Sequence, residues 1–200
     1  MKNNIFRVFI SSTFSDVAPY RDALMKDVYP KIETFCERKS ASFHPVDLRW
    51  GINEETAKNN EVLKTCLVEV ERCKALSPKP SFLMLIRNRY GWTPPPYEIE
   101  ADEMNHILLW LNKNISSGSE KAKKQKQLIQ EWYELDENNV PHIYCLKKRT
   151  AEYADSKIWE IKEAEIQQEL YHCAKESDVE TSFGKDALVK YYASATEQEI

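Results

Sequence analysis

Two short runs that are apolar on both sides of the pleat, residues 5–10 (IFRVFI) and 81–86 (SFLMLI), constrain this chain more than any other feature. A strand with no polar face must be covered on both sides, as in a parallel sheet held between helix layers. Parallel neighbours need a crossover connection, and the residues between the two runs supply helix-period patterns and a further strand.

The first helical pattern is Val17, Tyr20, Leu24, Val28, Ile32 and Phe35, whose three- and four-residue spacing predicts one core-facing stripe. Ser15 or Asp16 is the expected N-cap and Pro19 fits the first turn, whereas Pro30 predicts a kink or a break near Tyr29. Residues 42–48 (SFHPVDL) read as a second strand, placed at a sheet edge because Pro45 cannot donate to a ladder. Val62, Leu63, Cys66, Leu67, Val70 and Cys73 form a second amphipathic helix, stopped by the SPKP sequence before the strand at 81–86.

Helical patterns follow at 99–111 and 128–135, with a polar, lysine-rich stretch at 113–126 read as a solvated loop or insertion. Residues 140–146 (VPHIYCL) are the expected fourth strand. Residues 158–173 form a long helix with Ile158, Trp159, Ile166, Leu170 and Cys173 turned to the core. After Gly184, the spacing of Ala187, Leu188, Tyr191, Tyr192 and Ala195 predicts a helix that reaches Ile200 without a stop signal. The expectation is one α/β domain over residues 1–200, flavodoxin-like, a three-layer parallel sheet of order 2-1-3-4 with extra helices, interrupted before its last strand.

Charge narrows the partners. A formal net charge of -4 gives no overall basic field to draw in nucleic acid or an acidic membrane. No apolar run reaches membrane-spanning length and no signal-peptide core opens the chain, so the segment reads as intracellular. Five scattered cysteines, an odd number, suit reduced core thiols better than a disulfide framework.

In open α/β sheets, ligands sit at the carboxyl ends of the strands. That rule gathers Ser11, Ser12 and Thr13 after the first strand, Arg49 and Trp50 after the second, and Arg89, Tyr90 and Trp92 after the third. Hydroxyls, guanidinium groups and aromatic faces can hold a nucleotide or phosphate. The plainer reading is that the hydroxyls end a strand, Asp16 caps a helix and Arg49 pairs with Asp47 or Glu54. A P-loop is absent, since none of the four glycines lies in a GxxxxGK[ST] arrangement. His142 with Cys145, and His172 with Cys173, lack metal-ligand geometry, while Cys66 and Cys73 share an apolar helix face. Glu98, Glu100 and Glu103 after the third strand, and Glu197 and Glu199 at the end, are the carboxylates to consider for acid–base work.

Five ordered segments, among them RVFISSTFSDVAPYRDALMKDVYPKIETFCE, VDLRWGI, IRNRYGW and QEWYELDENNVPHIYCLKK, and finally YYASATEQEI, resemble the amino-terminal region of NACHT and WD-repeat domain-containing proteins. That family is similar in plan to telomerase-associated protein 1. The resemblance implies a TIR-like domain ahead of a NACHT nucleotide-binding module and WD repeats, in signal-transducing NTPases of the STAND type. No cofactor is implied for this segment; ATP is implied for the downstream module. The implied role is a cytoplasmic interaction and signalling module with protein partners and self-association, and no membrane. RNA contact through Lys121, Lys123, Lys124 and Lys126 is a further reading. Some TIR domains cleave NAD with a glutamate on the helix after the third strand, which gives the alternative of an N-glycosidic hydrolase. Glu103 is one placement for that glutamate, and Glu197 or Glu199 is the other if residues 94–182 contain insertions.

Overall fold

The computed structural model describes residues 4–13, 15–48, 62–184 and 186–199. Contacts divide the chain into two compact units. The first comprises the described residues up to 48 together with 62–92 and 194–199; the second spans 93–193.

In the first unit, β1 (Ile5–Ser12) lies at the centre of a parallel three-stranded sheet of order β2-β1-β3. Its neighbours are β2 (Ser42–Val46) and β3 (Phe82–Leu85). Register pairs Val8 with Pro45 on one side and Ile10 with Leu83 on the other. The proline strand is therefore at an edge, as its missing N–H requires. The other edge is β3, whose apolar sequence had predicted a strand covered on both sides. Among the described residues it pairs with β1 alone, and Leu83 is partly exposed.

Alternating β1 side chains divide the core. Val8 and Ile10 pack with Tyr29, Leu24, Phe43 and Leu85 on one face, whereas Phe9 packs with Cys66, Cys73, Val46, Val70 and Phe82 on the other. The second set includes side chains of α3 (Val62–Leu76).

The first helix corrects the expected stripe. It comprises α1 (Ala18–Ala23), a π-helical turn (Leu24–Val28) and α2 (Tyr29–Glu37). Pro30 sits in the first turn of α2, and the helical run does not break there but passes into α2 through the π turn. The π turn holds one extra residue, which rotates everything after it. Val17, Arg21, Tyr29 and Cys36 are buried, whereas Tyr20, Val28 and Phe35 are exposed. The N-cap is Val17, with no side-chain cap. Asp16 instead accepts a 2.6 Å bond from Thr13 Oγ1.

The second unit holds an antiparallel sheet of order β4-β6-β5, from β4 (Glu98–Glu100), β5 (Tyr133–Asp136) and β6 (Ile143–Leu146). Residues 140–146 thus contribute a strand to this separate sheet, and the order 2-1-3-4 does not form with them. Among the described residues, five α-helices accompany it: α4 (Ala101–Ser116), α5 (Glu120–Trp132), α6 (Ser156–Glu176), α7 (Val179–Phe183) and α8 (Val189–Tyr192). The lysine-rich stretch at 113–126 is mostly helical, ending α4 and beginning α5, because Ser119 caps α5 through Ala122 N–H. Lys126 donates to Asn112 Oδ1 at 2.8 Å, and Lys121 Nζ lies 3.2 Å from His172 Nε2.

Trp159, Ile166, Leu170 and Cys173 of α6 enter the unit's core as the spacing predicts, but Ile158 is exposed. The single helix expected after Gly184 is two short ones, α8 and α9 (Ala195–Gln198), and the second belongs to the first unit.

Candidate functional site

Where β1 ends, Ser11 and Ser12 are buried and the chain turns into α1. The loop after β3 closes over this turn. Arg87 Nη1 donates to the carbonyl of Asp16 at 2.7 Å, and Arg89 Nη1 donates to Ser15 Oγ at 2.5 Å. The Thr13 hydroxyl, helped by the Arg89 and Arg87 charges, holds the Asp16 carboxyl below its ordinary range. Gly91 has φ +98°, and a Cβ there would lie 3.1 Å from Thr13 Cγ2. Conformation and close approach therefore both require glycine.

The third contributor is α9. Ala195 N–H donates to the Trp92 carbonyl at 2.8 Å, which fixes the start of this helix against the β3 loop. Ser194 and Glu197 form a capping box, with the Ser194 N–H 2.9 Å from Glu197 Oε2. A hydrogen bond from Tyr90 and the Ser194 bonds hold Glu197 below the usual carboxylate range.

Together these pieces enclose a cleft of about 610 Å³ lined by Ser12, Thr13, Ser15, Arg89, Tyr90, Gly91, Trp92, Ala195 and Thr196. An adjoining hollow of about 510 Å³ adds Met84, Ile86, Arg87 and Glu197.

A further polar group, which lines neither hollow, lies at the end of β1. The Ser11 hydroxyl donates to Glu199 Oε2, and the Cys66 thiol is a second donor to the same carboxyl. Burial raises the Glu199 carboxyl above its ordinary range, with the Ser11 and Cys66 bonds and the Arg21 charge opposing it. Burial, reinforced by the Glu199 charge, pushes the Cys66 thiol up to about 12. Such a thiol is an inert hydrophobe, whereas a carboxyl that holds its proton more tightly can serve as a general acid.

The structure thus brings Ser12, Thr13, Arg89, Tyr90 and Trp92 to one cleft, with Glu197 in the adjoining hollow and Ser11 and Glu199 at the buried end of β1. Arg49 and Trp50 lie outside the described residues. Asp47, the partner expected for Arg49, makes an ion pair with Arg21 at 3.0 Å. Glu103 belongs to the second unit, where it is buried and accepts bonds from Lys190 Nζ and Tyr191 OH. Glu98 and Glu100 lie on β4 of that unit.

Sequence reasoning missed Ser15, Gly91, Ala195 and Thr196 as lining residues, and Cys66 as the neighbour of Glu199. Ser15 and Gly91 were legible from their places beside strand ends. No local signal ties residues 194–199 to β3 across a hundred intervening residues. Among the described residues, no group of three or more histidine, cysteine or carboxylate side chains could hold a metal ion, and all five cysteines are free thiols. No described helix is long and apolar enough to cross a membrane.

Comparison with known proteins bears out the resemblance read from the five segments. A family model described as a domain of unknown function (DUF4062) matches residues 7–168. NACHT and WD repeat domain-containing protein 2 of Homo sapiens is 37% identical over 145 residues, covering 72% of this chain and 8% of that protein. NACHT domain- and WD repeat-containing protein 1 of Mus musculus is 32% identical over 127 residues, covering 64% of this chain and 8% of the relative. Telomerase protein component 1 of Rattus norvegicus is 42% identical over 93 residues, 46% of this chain and 3% of its own length. The chain therefore spans under a tenth of the length of these relatives. No solved structure matches it.

Proposed function

Because this chain belongs to the DUF4062 family, we propose that it is the amino-terminal interaction and signalling module, TIR-like in plan, of a cytoplasmic NACHT-type NTPase with WD repeats. In this reading it docks on protein partners or on copies of itself, and nucleotide turnover, with ATP as the nucleotide, falls to the NACHT module. The relatives' names supply the NACHT and WD-repeat setting. The observation that carries the docking role is the exposed apolar shoulder of the first helix, where Tyr20, Val28 and Phe35 stand in solvent. Contiguous apolar surface on a folded domain marks interaction sites.

The test replaces Val28 and Phe35 with aspartate in the protein as expressed in cells. Partner co-precipitation is expected to fall at least about tenfold with the circular dichroism spectrum unchanged. Undiminished capture of every partner would remove the reading.

A second reading is favoured by Glu199. A carboxyl with a raised pKa, bonded by Ser11 at the end of the strand whose following loop lines the cleft of Tyr90, Trp92 and Arg89, suits a base in hydrolysis of a nucleotide N-glycosidic bond such as that of NAD. Water would add to the ribose anomeric carbon as nicotinamide leaves with the C–N bonding pair, and the proton lost by the water would pass to the Glu199 carboxylate acting as base. Purified protein would then release nicotinamide, and Glu199→Gln would abolish the release. Absence of turnover in the unaltered protein eliminates this reading.

A further inference from the structure

One connection of the second unit joins a basic run to a hydroxyl. Residues 147–150 (KKRT) follow β6, and Thr150 is the sole serine or threonine of the chain preceded by three consecutive basic residues. Charge patterns around the acceptor are how protein kinases choose among substrate hydroxyls. Whether such a run can be used depends on its conformation.

The four residues belong to neither helix nor strand, and Thr150 has the extended backbone of φ -131° and ψ 166°. Short motifs are commonly bound in extended form. Side chains of an extended chain alternate between two sides, and burial follows that alternation here. Lys147 and Arg149 are half-buried, whereas Lys148 and Thr150 are exposed.

The half-buried pair is engaged with the unit itself. Lys147 Nζ donates to the carbonyl of Glu131, near the end of α5, at 2.7 Å. The Arg149 guanidinium lies over the Trp159 ring, 4.6 Å from its centre. Burial draws the Arg149 pKa down, with the Glu163 charge opposing it. These contacts hold the run in place from one side. On the other side, the Thr150 hydroxyl does not cap the turn that follows, and the extended course ends at once, with Ala151 at φ +52°. Lys148, two residues earlier on the same side, is about 7 Å away along the chain, within reach of a lysine side chain.

We propose that Thr150 is a phosphorylation site for a kinase directed by basic residues, with Lys148 as the cation that the kinase reads and that afterwards faces the phosphate. The Thr150 Oγ1 attacks the γ-phosphorus of ATP. The new O–P bond forms as the bond to the β,γ-bridging oxygen breaks, ADP leaves with that electron pair, and the hydroxyl proton passes to the kinase's catalytic carboxylate. The product carries about 1.5–2 further negative charges on a chain of net charge -4. Because the phosphate and Lys148 share the outer side, the contacts of Lys147 and Arg149 persist, and the modification alters surface charge without altering the fold.

The purified chain, incubated with ATP and the catalytic subunit of an arginine- and lysine-directed protein kinase, tests this, with sites mapped by mass spectrometry. Phosphate is expected on Thr150 at a rate within about tenfold of that for a synthetic peptide of residues 144–156. Thr150→Ala should remove it, and Lys148→Ala should slow it at least about tenfold. Lys157→Ala, at an exposed lysine of α6, should leave the rate unchanged. The circular dichroism spectrum should be the same before and after modification. Both Thr150 and Lys148 are on the surface, so their variants keep the fold. Incorporation only after denaturation, or a native rate more than about tenfold below the peptide's, overturns the inference. So does phosphate confined to other hydroxyls, or a rate indifferent to Lys148→Ala.

Discussion

Arg21 is the substitution whose cost can be worked most fully from the structure. Its side chain is 2% exposed, and its Nη1 lies 3.0 Å from Asp47 Oδ1, itself 8% exposed. The Nη2 donates to the carbonyl of Ile10. One guanidinium thus joins the carboxyl ends of β1 and β2 beneath the candidate site. Arg21→Met keeps the apolar stem but takes its guanidinium partner from a buried carboxylate, a change that costs about 3–5 kcal/mol when one partner of a buried pair is removed. The Ile10 carbonyl loses a donor within that sum, about 1 kcal/mol.

With a urea dependence of about 2 kcal/mol per molar, the unfolding midpoint should fall by roughly 2 M. The assay is urea unfolding followed by circular dichroism, with hydrogen exchange at β1 amides to assign the loss to the first unit. Arg21→Met combined with Asp47→Leu should recover most of the loss, because two apolar groups need no partner. A cost under about 1 kcal/mol for Arg21→Met, or a double variant no better than the single, would refute the reasoning.

Glu199 gives a pH signature. Its carboxyl holds a proton more tightly in the folded chain than at the ordinary value of 4.5, so the cost of ionising it is fully present above the folded pKa. That cost disappears as pH falls through the folded pKa towards 4.5. Thermal midpoints of the unaltered protein should therefore gain on Glu199→Gln as pH drops over that window, and a gain in the opposite direction would contradict the burial argument. With thiols raised to about 12, Cys66 and Cys173 should resist iodoacetamide at neutral pH until the protein is denatured; mass spectrometry after native labelling decides it. Gly91→Ala should cost about 1–3 kcal/mol in the same urea titration, since alanine there meets Thr13 and takes an unfavourable φ.

The strands that carry the candidate site were legible because each is announced locally. The apolar run of β1, Pro45 in β2 and the apolar run of β3 identify a parallel sheet with a proline edge, and the ends of β1 and β3 then point to Thr13, Arg89, Tyr90 and Trp92. The helix stripe failed because periodicity assumes 3.6 residues per turn throughout, and the π turn at Leu24–Val28 breaks that assumption. Arg21 was hidden for a different reason. A charged residue reads as exposed until an acid such as Asp47, twenty-six positions away, is seen to pair with it.

By itself, the sequence determined the parallel sheet around β1, the proline edge and membership of the DUF4062 family, since local periodicity and residue identity carry those properties. Only the tertiary structure decided that residues 143–146 join a second sheet, that Glu103 is bonded within that unit, and that α9 returns to cap the ends of β1 and β3. Each of those outcomes depends on contacts between residues far apart in the chain. Which distant groups meet is set by how the two cores close, and no short window of residues records it.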